Sequence, residues 1–407
     1  MTLDPLALPL RPSEANELAN LVFDLAEGRP LTQEIRNRIA SRAAALKLRT
    51  LQPHLGSLSR DPIHHSTYYV AVDVADGPPL LLHIAVSGAP TSSLFQKPLL
   101  IGRMRRAAGQ EIVINAVAFS PADRDLVARF AAEVDDALLP KVQGTRPAIV
   151  AAPSPASFDA FRTILKRTGR NLAAIEMSAG EFEVAIYYAI RAGWREGYSA
   201  GLTLDAATAR DSLRDIGRFT RFRIEAAQAP AEASPDEYAS QFPPFGDPVE
   251  AAGESYRFDA GETAQIAARL GPALRACERL HEWIRQARAA AKGTRAFDFE
   301  AVLPVHSARE LVFCLHWLKT RGRAPQLLAP RPPAGEDFEA KVRELAAIAR
   351  HYSCQLCFDA DCGGDLSKLE LISRASAGRV NFRVTGGSAH PDEYSQYLIG
   401  LADILLG

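Results

Sequence analysis

The chain has 407 residues, 47% hydrophobic and 23% charged, a balance that excludes disordered and fibrous classes and suits one or two units with a large core. Its 47 Lys and Arg against 48 Asp and Glu leave no field favouring nucleic acid or an anionic membrane, so small molecules and neutral protein surfaces are the expected partners. Five cysteines are too few for a secreted disulfide framework, and no apolar run approaches the roughly 20 residues of a membrane span.

MTLDPLALPLRPSEAN lacks the basic-then-apolar order of a signal peptide, so the expected location is cytoplasmic. Homo-oligomerisation is left open. SEANELANLVFDLAEG and PLTQEIRNRIASRAAALKL read as two helices, with Ser13 as the cap of the first and Gly28 as its end. TYYVAVDVADG, PLLLHIAVSG and EIVINAVAF read as strands, the first two joined by a turn at Asp76 to Pro78. With the helix ADRDLVARFAAEVDDALL they make residues 1–145 an N-terminal α+β domain.

From Pro147 onward strands and helices alternate. PAIVAA, NLAAIEM, SAGLTL, FTRFRIEAA, RAFDFEAVLP, PQLLAPR, CQLCFDAD and RVNFRVTG are strand candidates, with helical stretches such as ASFDAFRTILKRTG and FEAKVRELAAIARHY between them. Eight such pairs make residues 146–407 an α/β unit of the (β/α)8 TIM-barrel type. The Ala/Pro/Ser/Gly-rich stretch 228–258 reads as an insertion at the top of the barrel.

Side chains alternate along a strand, so each candidate splits into two faces. One face holds Arg221, Arg223 and Glu225 in RFRIE, and Asp298 and Glu300 in FDFEA. It continues with Gln355, Cys357, Asp359 and Asp361 in QLCFDAD, and with Arg379, Asn381, Arg383 and Thr385 in RVNFRVT. The opposite faces are apolar. If those pack on the helices, the polar faces line the interior, where charges must pair. The expectation is an arginine–carboxylate network leading to the C-terminal mouth, where barrels of this type hold their chemistry. The plain alternative is that these charges only satisfy one another.

EIVINAVAFSPADRDLVARFAAEVDDALLPKVQGTRPAIVAA, FDAFRTILKRTGRNLA, AIRAGWREGYSAG, LLAPR, FEAKVRELAAIARHY and GRVNFRVTGGS recur in order in another set of proteins. On these segments, from about residue 111, the chain resembles the bacterial tagaturonate epimerase family, (β/α)8 proteins that interconvert tagaturonate and fructuronate. The resemblance implies a metal-assisted isomerase of hexuronates or related keto-sugars, with acidic residues and histidines at the strand ends. This chain departs from that pattern. After GYSA it reads Gly201 to Leu204 where the family ends an acidic stretch in Asp-His, and Val302 and Leu303 stand opposite an Asp-Glu pair. Glu225 replaces an aspartate, Asp359 and Asn381 replace histidines, and Arg383 replaces a lysine.

The inverted carbon is β to the ketone and its proton is not acidic, so retro-aldol cleavage and re-closure is the reasonable chemistry. Glu225 and Asp359 are the candidate catalytic residues, and Arg331, Asn381, Arg383 and Glu300 the candidate ligands of a sugar acid. Glu225, Asp359 and Asp361 are candidates for a divalent metal: Mg or Mn on oxygen ligands, or Zn. The nine histidines offer little, because none falls on a barrel strand and His390 alone follows one closely. A family member that binds a sugar acid or a protein partner without turnover is therefore the alternative. Cys354 and Cys357 in HYSCQLCFDADCGGD leave opposite faces of one strand and clasp no common ion.

Overall fold

The computed structural model describes residues 8–89, 94–95, 98–107, 109–207, 216–227, 229–231, 233–333, 335, 337–386 and 390–407. They fall into two compact units, Met1–Leu139 with Glu183–Gly197, and Pro140–Phe182 with Tyr198–Gly407.

The first unit runs α1 (Pro12–Ala26), α2 (Gln33–Ala45), β1 (Leu51–Arg60), β2 (Thr67–Val74), β3 (Leu80–Val86), β4 (Leu99–Arg105), β5 (Glu111–Ala118) and α3 (Arg124–Glu133). Its strands form one antiparallel sheet in the order β1-β2-β3-β5-β4. Alternation decides what each face touches. Tyr68, Val70 and Val72 with Leu80, Leu82 and Ile84 share a core with Leu18, Val22, Phe23 and Ile39. Tyr69 and His83 face the other way, onto Phe95. Helix α1 begins with Pro12 and has Arg11 as its cap, two residues before the expected cap Ser13, because proline's fixed φ suits the first helical position. Strands β1 and β4 were not legible as strands. They are the sheet edges, and Pro53, Gly56 and Gly102 interrupt their alternation where no partner strand requires it.

The chain continues with β6 (Ala148–Ala151), α4 (Pro155–Thr168), β7 (Ala173–Glu176), α5 (Phe182–Ala192), β8 (Ser199–Asp205) and β9 (Arg221–Glu225). Most of α5 groups with the first unit. There follow α6 (Pro235–Gln241), β10 (Val249–Ala251), β11 (Glu254–Tyr256), α7 (Ala260–Lys292), β12 (Asp298–Val302), α8 (Ala308–Thr320) and β13 (Leu327–Ala329). The chain ends with α9 (Phe338–His351), β14 (Gln355–Asp361), α10 (Leu366–Ala375), β15 (Val380–Thr385) and α11 (Pro391–Leu406). Eight strands close into a barrel in the order β12-β13-β14-β15-β6-β7-β8-β9, every neighbouring pair parallel. The eight strand candidates from Pro147 onward all lie in it.

The face assignment follows from packing. Phe297 and Phe299 meet the His281 ring of α7, and Phe222 packs edge-on to Phe297. The odd residues of β12 therefore point to the helices and Asp298 and Glu300 point inward. Burial holds His281 neutral, with its pKa pushed down to about 4, so this histidine is a core residue.

The insertion after β9 is ordered by a capping box, with Ser234 and Glu237 exchanging hydrogen bonds across the first turn of α6. It packs on helices α7 and α8. Phe242 lies on Trp317 at 4.1 Å between centroids, and Phe245 and Phe258 both contact Phe313. Gly271 is required there, since a Cβ would sit 2.7 Å from the Tyr238 ring. Replacing Phe242 by Ala opens a cavity on Trp317 and is expected to lower stability by about 3–5 kcal/mol. Chemical denaturation would show this as a fall in midpoint at constant slope, whereas an unchanged midpoint would mean the insertion is not anchored by this contact.

Candidate functional site

The inner layer of the barrel is built around one carboxylate. Glu300 is fully buried, and its Oε2 accepts from Arg221 Nη2 at 2.6 Å and Nε at 3.2 Å. Its Oε1 accepts from Arg223 Nη1 at 2.7 Å, and Arg383 Nη2 donates to both oxygens at 3.0 and 3.1 Å. Register explains the grouping. Arg223 is the direct neighbour of Glu300 on β9, Arg221 sits two residues below it, and Arg383 reaches in from β15. Burial alone would raise the Glu300 pKa, but the guanidiniums of Arg383, Arg221 and Arg223 overcome it and hold the group well below the ordinary carboxylate range. In turn, Glu300 holds Arg221 and Arg223 above their ordinary value despite the same burial. The thiol of Cys357, 3.7 Å from Arg221 Nη2, is pushed up to about 12 by burial and by Glu300, and so stays protonated.

A rim lies above this layer. Arg223 Nε donates to Glu225 Oε1 at 2.5 Å, and Glu225 is about one-third exposed at 36%. Arg383 Nε lies 3.0 Å from Glu176 Oε2, an ion-pair contact without the alignment of a hydrogen bond. The second oxygen of Glu176 accepts from Thr203 Oγ1, and Thr385 Oγ1 donates to Asp361. Asp205, Asp359 and Asp361 are exposed. Three guanidiniums therefore face Glu300, Glu176 and Glu225, and further carboxylates stand outside them.

Below the network, polar groups serve the backbone. Asp298 accepts from the amides of Gln143 and Gly144, both at 2.9 Å, although burial raises its pKa. Asn381 Oδ1 accepts from the Ala148 amide at 2.9 Å.

The candidate residues thus divide by depth. Glu225, Asp359 and Asp361 are at the mouth, with Glu225 three strands from the other two. Arg383 lies just under the mouth, while Glu300 and Asn381 are in the interior with their polar atoms engaged. Arg331 is exposed in the connection after β13. Among the described residues, no three His, Cys, Asp or Glu side chains are grouped to hold a metal ion. Glu176, Thr203 and Asp205 were missed by the sequence reading. Their strands look apolar overall, and their inward placement follows from register, Glu176 pairing with Gly201 and Thr203 with Arg223.

These features define the class: a closed parallel (β/α)8 barrel whose mouth combines arginines with carboxylates. No family profile and no curated protein matches the chain. Among solved structures it is similar to fructuronate-tagaturonate epimerase UxaE from Cohnella laeviribosi. The native crystal structure has a TM-score of 0.58 at 16% identity, over 86% of this chain and 75% of that one. A glycerol complex of the same enzyme gives 0.58 and 16% over 86% and 74%. The likeness shows a shared fold. Among the described residues no helix is long and apolar enough to cross a membrane.

Removing the shared anion tests the inner layer. Glu300→Gln leaves three buried arginines facing a neutral amide and is expected to cost roughly 3–5 kcal/mol in denaturant unfolding. Because the folded pKa is depressed, Glu300 contributes its full stability above the unfolded carboxylate's pKa of about 4.3 and loses it as pH falls below that. The wild type should therefore lose more stability than Glu300→Gln between neutral pH and pH 3. Parallel pH curves for the two proteins would contradict the assignment.

Proposed function

We propose that this protein is a sugar-acid isomerase that epimerises a hexuronate or related keto-sugar at its barrel mouth. The reading is carried by one observation: Arg383 and Arg223 lie directly under carboxylates at the ends of β7, β8, β9 and β14. It is supported by the fold shared with the fructuronate-tagaturonate epimerase. A carboxylate held by arginine places the sugar chain among groups able to take a proton from a hydroxyl. Arg331 is a second cation for the acid group.

For inversion at a carbon β to a ketone, Glu225 or Asp359 removes the proton of the hydroxyl on that carbon. The adjacent carbon–carbon bond then breaks, its electron pair going to the ketone side as an enolate and leaving an aldehyde. Rotation of the aldehyde presents its other face, the enolate re-forms the bond, and the carboxylic acid returns its proton to the alkoxide. A divalent metal, Mg, Mn or Zn, remains part of the proposal as a stabiliser of the enolate. Among the described residues no three carboxylates are grouped to hold such an ion, so no step here runs through it.

A second reading, sugar-acid binding without turnover, is favoured by the placement of the histidines, none of which lies on a barrel strand. Interconversion of tagaturonate and fructuronate by the purified protein, assayed with and without added Mn²⁺, separates the two. The isomerase reading expects turnover that falls at least about 100-fold in Glu225→Gln. Retained sugar-acid binding with no interconversion under either condition would overturn it in favour of the second reading.

A further inference from the structure

We infer that Glu176 is an internal stand-in for a ligand carboxylate. It occupies Arg383 in the free protein and yields that place to the acid group of a hydroxy acid, whose hydroxyls then face the outer aspartates. This rests on the sugar-acid reading of the same mouth and adds the ligand's direction and the residue it displaces.

Arg383 is only 8% exposed, yet its donors are poorly used. Nη2 is committed to Glu300. Nε is buried without an aligned acceptor. Glu300 offers nothing more, since it already accepts from three arginines. A buried guanidinium whose Nε–H lacks an aligned acceptor is primed for another one.

Glu176 fits the part of a displaceable anion. It is 24% exposed and lies on β7, two strands from Arg383 on β15, so it must lean across β6 to make its contact. The inward residues of that sector are small, Ala148 and Val150 on β6 and Ala174 on β7. Thr203 on β8 already holds its other oxygen and offers a place to which the side chain can retire.

Charge order sets the ligand class. The inner layer has three guanidiniums to one buried carboxylate, while Asp205, Asp359 and Asp361 outside it are acceptors suited to hydroxyl donors. A monoanionic head bearing hydroxyls matches this sequence of layers. A neutral sugar lacks the head, and phosphate carries excess negative charge past the rim.

Calorimetric titration of the full chain with D-glucuronate, glucose and inorganic phosphate tests the inference. D-glucuronate should bind at least about tenfold more tightly than glucose or phosphate. Glu176→Gln removes the internal competitor and should tighten D-glucuronate about fivefold. Thr203→Val removes the resting place and should weaken it, but not in the Glu176→Gln background. Weaker or unchanged binding in Glu176→Gln, or phosphate binding as tightly as D-glucuronate, would overturn the inference. Neither substitution touches Glu300, so the inner network and the fold are retained. Binding changes of the expected sign without epimerase turnover would overturn only the isomerase reading. Turnover together with weakened binding in Glu176→Gln would overturn only this inference.

Discussion

Burying a carboxylate at the centre of a barrel is the constraint on which the rest of the site depends. An unpaired Glu300 would cost several kcal/mol or simply protonate. It stays ionised because closure brings β9 beside β12 and lets Arg383 reach in from β15. Each partner depends on strand register. A slip of one residue on β9 would turn Arg221 and Arg223 toward the helices and Phe222 toward the charges. The network therefore fixes the register of the strands as firmly as the aromatic packing outside them.

The same network divides the interior into unequal sectors. Charged residues come from the neighbours β9 and β12 and, from across the barrel, from β15, while β6 and β7 contribute Ala148, Val150 and Ala174. Glu176 crosses the apolar sector to reach Arg383. Polarity also changes with depth, from backbone-serving Asp298 and Asn381, through guanidiniums, to carboxylates at the rim. A ligand entering from the C-terminal end meets acceptors first and cations second.

Much of this was legible in the sequence because period-2 alternation reports directly on strand faces. RFRIE and FDFEA each gave the correct inward set, and all eight barrel strands were found. Edge strands β1 and β4 were not, since proline and glycine break their pattern and an unpaired side tolerates it. Glu176 was hidden in a four-residue strand, too short for alternation to register. Contacts between strands distant in sequence, such as Glu176 on β7 with Arg383 on β15, are set by barrel closure, which a linear pattern does not contain. The Cys-rich stretch proved less informative than its aspartates: Cys354 and Cys357 are buried, and Asp359 and Asp361 stand at the mouth.

On this reading Arg383 receives the acid group of a ligand at the mouth of the barrel. A crystal structure of the protein soaked with D-glucuronate tests it most directly. The carboxylate is expected against Arg383 Nε, in the place Glu176 leaves, with Glu176 withdrawn onto Thr203 and the hydroxyls toward Asp205, Asp359 and Asp361. A carboxylate bound elsewhere, with the Glu176–Arg383 pair intact, would contradict it.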